Sequence, residues 1–221
     1  MSVCAVVPAY NEGGRITAVL DALHGASGVA EIVVVDDGST DNTHAIAGTH
    51  PAMGAGRLRV LCLSPNQGKG AAMLEGAEAT DAEVLVFFDA DLIGLTSAHV
   101  NALVAPVVEG SVVMALGVFR HGRGATDLAQ ILVPNISGQR AIRRDVFLSI
   151  PCLTKTRYGV ELAITHHIQQ NGLPMTRVVL AGVTHPMKEE KLGFFKGAWA
   201  RLRMYRQMLP YLFRRPVRRR K

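Results

Sequence analysis

An α/β fold with a mostly parallel sheet flanked by helices is the architecture this sequence predicts, and three observations predict it. Short runs rich in Val, Ile and Leu alternate with longer stretches of helical spacing, the order that builds parallel sheets through helical crossovers. The runs are continuous rather than alternating, as in Ile32-Val33-Val34-Val35, which marks strands buried on both faces. Polar clusters follow three of the runs directly, at the carboxyl ends of the strands, where such sheets bind ligands.

Taken in order, strands are expected near residues 2 to 7, 31 to 36, 57 to 62, 84 to 88 and 112 to 119, and helices near 14 to 24, 41 to 48, 69 to 79 and 96 to 108. Beyond residue 120 the alternation gives way to Gly- and Pro-punctuated segments. These include Ser137-Gly138-Gln139-Arg140, a helix-like stretch from about 159 to 170 and a strand from about 176 to 183. A length of 221 residues with 48% hydrophobic and 19% charged side chains suits one domain with a substantial core. That domain is expected over residues 1 to 195, followed by a basic segment over 196 to 221.

Composition excludes several classes. Cys4, Cys62 and Cys152 are widely separated and form no C-x-x-C pair, so the spacing suggests neither a disulfide framework nor a zinc site, and a reducing cytoplasm fits. The N-terminus reads straight into a strand without a basic and apolar leader, so no secretory signal is expected. No uninterrupted apolar run approaches the roughly 18 residues of a membrane-spanning helix. The net charge of +6 is local: residues 196 to 221 carry 10 Lys and Arg and no acid, leaving a body of 14 basic and 18 acidic residues.

The polar clusters carry the chemistry. Asp89-Ala90-Asp91 follows the run Val84-Leu85-Val86-Phe87-Phe88, and paired carboxylates leaving a core strand suit a hard divalent cation, although solvated acids in a turn would read the same way. Asp36-Asp37-Gly38-Ser39-Thr40-Asp41 follows the second strand; it serves equally as a turn with a helix cap or as acceptors for a ribose hydroxyl and a base N–H. Gly68-Lys69-Gly70 can bring backbone and a cation to an anion. It is not a Walker A loop, since Leu63 and Gly70 stand where that loop needs Gly and Ser or Thr. Pro8-Ala9-Tyr10-Asn11-Glu12 follows the first strand, and all these clusters are expected to face one crevice.

In this order, Val7-Pro8-Ala9-Tyr10-Asn11-Glu12, Val35-Asp36-Asp37-Gly38-Ser39-Thr40-Asp41, Gly68-Lys69-Gly70 and Asp89-Ala90-Asp91 resemble a family-2-type glycosyltransferase of the GT-A fold, with a Rossmann-like sheet. The resemblance implies a nucleotide-diphosphate sugar donor and Mg²⁺ or Mn²⁺ bridging its diphosphate. It makes residues 1 to 120 the nucleotide-sugar half and 121 to 195 the acceptor half. Gly122-Arg123 with Thr126-Asp127-Leu128, Ser137-Gly138, Arg157-Tyr158-Gly159-Val160-Glu161 and Gly182-Val183-Thr184-His185 are similar to glucosyl-3-phosphoglycerate synthases and mannosylglycerate-type enzymes.

That similarity implies a site. Pro8, Ala9, Tyr10, Glu12, Asp36 and Asp37 would hold the nucleoside, Lys69 and Ala90 the donor, and Asp89 the ribose and metal. Asp91 and His185 would complete the metal ligands, and Glu161 with Tyr158 would contact sugar hydroxyls. Arg123, Gly124, Thr126, Ser137 and Gly138 would face a phosphorylated or carboxylated acceptor. Asp91, Lys69 and Glu161 would carry catalysis, with UDP-glucose as donor and retention of anomeric configuration. An inverting route would need a carboxylate base, for which Glu161 is the candidate.

Phe195, Ala198, Trp199, Leu202, Tyr205, Leu209 and Leu212 recur at helical spacing, with Lys196, Arg201, Arg203 and Arg206 on other faces. An amphipathic helix is expected there, packed on the domain or lying on a membrane. The Arg214 to Lys221 end suits anionic lipid, and a polyprenyl-phosphate acceptor is the alternative this favours. The expected protein is cytoplasmic or peripheral to the inner membrane face; a homodimer is compatible with it, and a nucleic-acid partner is not expected.

Overall fold

The computed structural model describes residues 1–120, 137–151, 153 and 159–186. In chain order the elements are β1 (Val3–Ala9), α1 (Ile16–His24), β2 (Glu31–Asp36), α2 (Thr43–Gly48), α3 (Pro51–Gly54), β3 (Leu58–Cys62), α4 (Lys69–Glu78), β4 (Val84–Phe87) and α5 (Ser97–Val108). They continue with β5 (Met114–Arg120), β6 (Arg140–Arg143), α6 (Arg144–Leu148), α7 (Val160–Gln170) and β7 (Met175–Ala181). The sheet runs β3-β2-β1-β4-β6-β5-β7. β6 alone among these strands runs antiparallel to its neighbours.

Every strand expected from the apolar runs is present within two residues at each end, and the first four pair in parallel as that pattern requires. β6 is the departure from the sequence reading. It occupies the segment expected to be irregular, and its sequence Arg-Ala-Ile-Arg has too few apolar residues to announce a central strand. It forms because β4 on one side and β5 on the other supply complete ladders, so tertiary pairing overrides weak local propensity.

Side-chain alternation sends the two faces of the sheet into two cores. Ala5, Val7, Ile32, Val34 and Val86 pack against α1 and α5 through Ile16, Leu20, Leu23, Leu103 and Val107. Cys4, Val6, Val33, Val35 and Phe87 pack on the other side against Met73 and Ala77 of α4, Phe147 of α6 and Ile164 and Ile168 of α7. Each buried Val, Leu, Ile, Phe or Met side chain among them contributes about 1.5–3 kcal/mol. In the same core, burial pushes the Cys4 thiol up to about 12.

The layout fixes where a ligand can sit. The chain leaves β1 toward β2 on one side, while β4 pairs with β1 on the other, so the loops after β1 and β4 flank a topological switch point. No helix among the described residues is long and apolar enough to cross a membrane. The 122–126 loop, Tyr158, and the amphipathic and Arg-rich segments from Phe195 onward lie outside the described residues.

α4 rides unusually close to the sheet because it presents Gly76 there: a Cβ at that position would lie 2.4 Å from Val6 Cγ1 and 3.2 Å from Val35 Cγ2. Gly76→Ala is therefore expected to destabilise the fold by about 1–3 kcal/mol through overpacking, measured as a lower urea midpoint at unchanged m-value.

Candidate active site

The loops after β1 and β2 are laced together by side chains. Asn11, in the left-handed region at φ 56°, accepts from the Thr40 N–H at 2.8 Å and donates its own N–H to Ser39 Oγ at 2.9 Å. The Glu12 N–H donates to Thr43 Oγ1 at 2.8 Å, and the Gly13 N–H to Asp41 Oδ2 at 3.1 Å. The polar run after β2 is thus consumed largely in shaping the loop after β1, which leaves Pro8, Ala9, Tyr10 and Glu12 on the crevice wall.

Asp36 and Asp37 separate in role because adjacent residues point to opposite sides. Asp36 does not line the crevice expected for it. It shares the α1 and α2 face of the sheet with Val34, and its Oδ1 accepts the Ser39 N–H at 2.9 Å. Asp37 does line the crevice, and its two carboxylate oxygens accept the N–H groups of Gln67 and Gly68, each at 2.7 Å. α4 has no side-chain cap from its own N-cap, Gly68, so Asp37 supplies from another strand the carboxylate that the helix end favours.

At the end of β4, Asp89 and Asp91 meet His185, which follows β7. One donor atom from each lies within 4.8 Å of the others; His185 Nδ1 is 3.1 Å from Asp91 Oδ1 and its Nε2 is 3.7 Å from Asp89 Oδ2. An antiparallel bridge brings the histidine in, with Ile93 and Thr184 exchanging N–H···O bonds at 2.9 and 3.0 Å. The approach requires glycine at residue 94, since a Cβ there would lie 2.7 Å from the Gly182 carbonyl oxygen and the backbone φ is +78°. Burial lowers the His185 pKa, but the Asp91 hydrogen bond and the charges of Asp89 and Asp91 outweigh it and hold the pKa above its ordinary value. Two carboxylates and an imidazole so close together fit a divalent cation such as Mn²⁺ or Mg²⁺.

Lys69, the first residue of α4, reaches into the same crevice. Its Nζ lies 2.6 Å from Asp89 Oδ1 and 2.5 Å from Glu161 Oε1. Burial opposes the charge on each partner. Even so, the carboxylates raise Lys69 well above its ordinary range, and the Lys69 charge, with Arg140, draws Glu161 down to about 2.

Two residues that the sequence reading assigned no role complete the cluster. Gln139 donates Nε2 to Asp89 Oδ2 at 2.9 Å. Arg140 is fully buried and donates Nη1 to the Glu161 carbonyl at 3.2 Å and Nη2 to the Ser137 carbonyl. Burial pulls its pKa to about 10 against the charges of Glu161 and Asp89, so it stays cationic at neutral pH. Only the antiparallel placement of β6 between β4 and β5 brings these two side chains here, and no local pattern announces that.

The same segment holds Ser137 and Gly138, expected to face an acceptor. Ser137 is buried and donates its hydroxyl to Gln139 Oε1 at 2.9 Å. Gly138 lies so close to Asp89 that a Cβ would fall 2.5 Å from its Oδ2. Both stand beside Asp89, Ser137 through Gln139 and Gly138 directly. Of the other expected residues, Ala90 lines the crevice of about 250 Å³ with Lys69, Asp91 and His185, while Glu161 joins it through Lys69. Arg123, Gly124, Thr126 and Tyr158 lie outside the described residues.

A mostly parallel sheet flanked by helices, with an Asp-x-Asp at the switch point, defines the GT-A-like class of nucleotide-sugar transferase folds. Residues 4–164 match the family model for glycosyl transferase family 2, and the chain belongs to that family. It is similar to glucosyl-3-phosphoglycerate synthase of Mycobacterium tuberculosis, 29% identical over 195 residues covering 74% of this chain and 59% of the relative. The chain therefore spans about three fifths of the length of that curated relative. A crystal structure of the M. tuberculosis enzyme with Mn²⁺, UDP-glucose and phosphoglyceric acid superposes with a TM-score of 0.65 at 28% identity, covering 86% of this chain and 74% of that one. A dolichyl-phosphate beta-glucosyltransferase of Trichomonas vaginalis is 41% identical over 95 residues, 39% of this chain and 28% of the relative.

Two outcomes are expected of this geometry. Gly138→Ala should push Asp89 off its present position and weaken Mn²⁺ binding about 10–100-fold, the usual cost of disturbing a ligand's support, as read by calorimetry on folded protein. Glu161 has a folded pKa of about 2 against an ordinary 4.5, so its ionised form stabilises the fold above pH 4.5 and that contribution fades as the pH falls toward 2. The stability difference between wild type and Glu161→Gln in urea titrations should accordingly be largest above pH 4.5 and shrink toward pH 2.

Proposed function

We propose that this chain is a metal-dependent hexosyltransferase that moves glucose from UDP-glucose to a small anionic acceptor of the phosphoglycerate type. The observation that carries this reading is the Asp89, Asp91 and His185 donor set beside Lys69 at the switch point of the sheet. The mycobacterial relative, crystallised with Mn²⁺, UDP-glucose and phosphoglyceric acid, supports the choice of donor and acceptor.

In this reading Asp91, His185 and Asp89 hold Mn²⁺ or Mg²⁺, which when bound supplies positive charge to the diphosphate. Pro8, Ala9, Tyr10, Glu12 and Asp37 line the crevice where the nucleoside would lie. Lys69 is a cation fixed in advance on the same wall by Asp89 and Glu161. As the bond between the anomeric carbon and the diphosphate oxygen breaks, negative charge grows on that oxygen, and preorganised cations there favour the transition state. Arg123, Gly124 and Thr126 are proposed to receive the acceptor.

The electrostatics of Glu161 bear on stereochemistry. A carboxylate held at about pKa 2 by Lys69 is a weak general base at neutral pH. This favours retention over inversion: the acceptor oxygen forms the new bond on the face the diphosphate leaves, and its proton passes to a departing phosphate oxygen.

A second reading, with polyprenyl phosphate as acceptor at a membrane surface, is favoured by the 10 basic residues of the C-terminal segment and by the dolichyl-phosphate glucosyltransferase relative. Incubation with UDP-glucose and Mn²⁺ separates the two: UDP release is expected with 3-phosphoglycerate, and turnover with the lipid phosphate alone would favour the second reading. Asp91→Ala and His185→Ala are each expected to lower Mn²⁺-dependent UDP binding by about 100-fold or more, beyond the 10–100-fold cost of losing a ligand's outer partner. Equilibrium dialysis with and without Mn²⁺ measures this.

A further inference from the structure

A second group of metal-binding side chains lies outside the crevice. Asp36 and Cys62 are register partners on the adjacent parallel strands β2 and β3, so their side chains leave the sheet on the same face. His44, the second residue of α2, stands over that face. One donor atom each from the Asp36 carboxylate, the His44 imidazole and the Cys62 thiol lie within 4.8 Å of one another, with His44 Nδ1 3.8 Å from Asp36 Oδ2. Asp36 is buried, whereas His44 and Cys62 are exposed.

We propose that Asp36, His44 and Cys62 form a second metal site, selective for Zn²⁺ and distinct in chemistry from the crevice. Zinc takes sulfur at about 2.3 Å and nitrogen or carboxylate oxygen at about 2.0–2.2 Å, so tetrahedral ligands stand roughly 3.3–3.6 Å apart. The observed separations come within reach by small rotations of the two exposed side chains. Asp36 is already oriented, because its Oδ1 is engaged by the Ser39 N–H at 2.9 Å while Oδ2 faces His44, the outer support that metal ligands use.

Ligand type sets the selectivity. A thiolate with an imidazole favours zinc over magnesium or manganese, while Asp89, Asp91 and His185 contain no sulfur and suit the harder ions. Three protein ligands leave a fourth position for water. Zinc bound here would tie β2, β3 and the start of α2 together beside Ser39, whose hydroxyl accepts from the Asn11 N–H. The spacing of cysteines in sequence gave no hint of this site, because its three ligands come from three separate elements.

The test uses the full chain titrated with Co²⁺ as a zinc surrogate, reading the thiolate-to-cobalt charge-transfer absorption that an oxygen and nitrogen site cannot produce. The band is expected to saturate at one equivalent, to be displaced by Zn²⁺, to vanish in Cys62→Ser and to remain in Asp91→Asn. His44→Ala should weaken binding by about 100-fold or more, since losing even an outer partner of a ligand costs about 10–100-fold. No band in the wild type, or a band that survives Cys62→Ser, overturns the proposal. As an independent measurement, Zn²⁺ should slow alkylation of Cys62, read by peptide mapping, about tenfold or more in the wild type and leave His44→Ala unaffected; equal rates in the two proteins overturn it as well. Circular dichroism of each variant verifies that the fold is retained.

Discussion

One ammonium group between two carboxylates holds the crevice together. Lys69 begins α4, Asp89 follows β4 and Glu161 lies in the first turn of α7, so a single cation ties two consecutive elements to a helix far along the chain. Without it, Asp89 and Glu161 would repel one another in surroundings that strengthen charge interactions. Removing one partner from such a group is costly because an uncompensated buried charge remains. Arg140 sits beneath, facing both acids from the middle of the sheet. Lys69, Arg140, Asp89 and Glu161 thus make a group of formal charge zero, and Asp91 adds a further carboxylate in contact with His185. The crevice therefore joins a balanced ion cluster to a donor set of two carboxylates and an imidazole.

The upper part of the site is built on a different economy of groups. Helix α4 starts without a cap of its own, and the loop after β1 has few internal hydrogen bonds. Both deficits are met by the segment after β2: Asp37 caps the helix, and Ser39, Thr40, Asp41 and Thr43 hold the loop. A run of polar residues that reads as a ligand-binding loop is therefore mostly occupied in making its neighbours rigid. Rigid walls suit a site that must meet developing charge without reorganising.

What was legible in the sequence follows from this division. Continuous apolar runs located β1, β2, β4 and β5, because burial on both faces leaves an unbroken hydrophobic signature, while the only partly buried edge strands β3 and β7 were legible from shorter runs of Val and Leu. The strand-end position of Asp89 and Asp91 was legible for the same reason, and the family resemblance joined His185 to them across the chain. β6 escaped because its stability comes from its neighbours rather than its composition, and with it went the parts played by Gln139 and Arg140. Ser137 and Gly138 stand beside Asp89 because of that same strand, which they precede. The strand expected over residues 31 to 36 ends at Asp36 as observed, and the period of a strand already separates Asp36 from Asp37; both acids were expected in the crevice because they belong to one polar cluster.

The bridge between Ile93 and Thr184, closed over Gly94 and Gly182, has a bearing on how the protein comes into being. Synthesis delivers Asp89 and Asp91 well before His185, which follows the last described strand. A nascent chain can complete β1 to β4 and still offer an incoming ion only two carboxylates. The imidazole arrives after β7 has paired with β5 and the glycine pinch has closed. The proposed donor set is complete only once β7 has paired with β5 and the segment after it has met Ile93, so metal affinity is expected to distinguish a chain with this sheet fully paired from one whose sheet is only partly built.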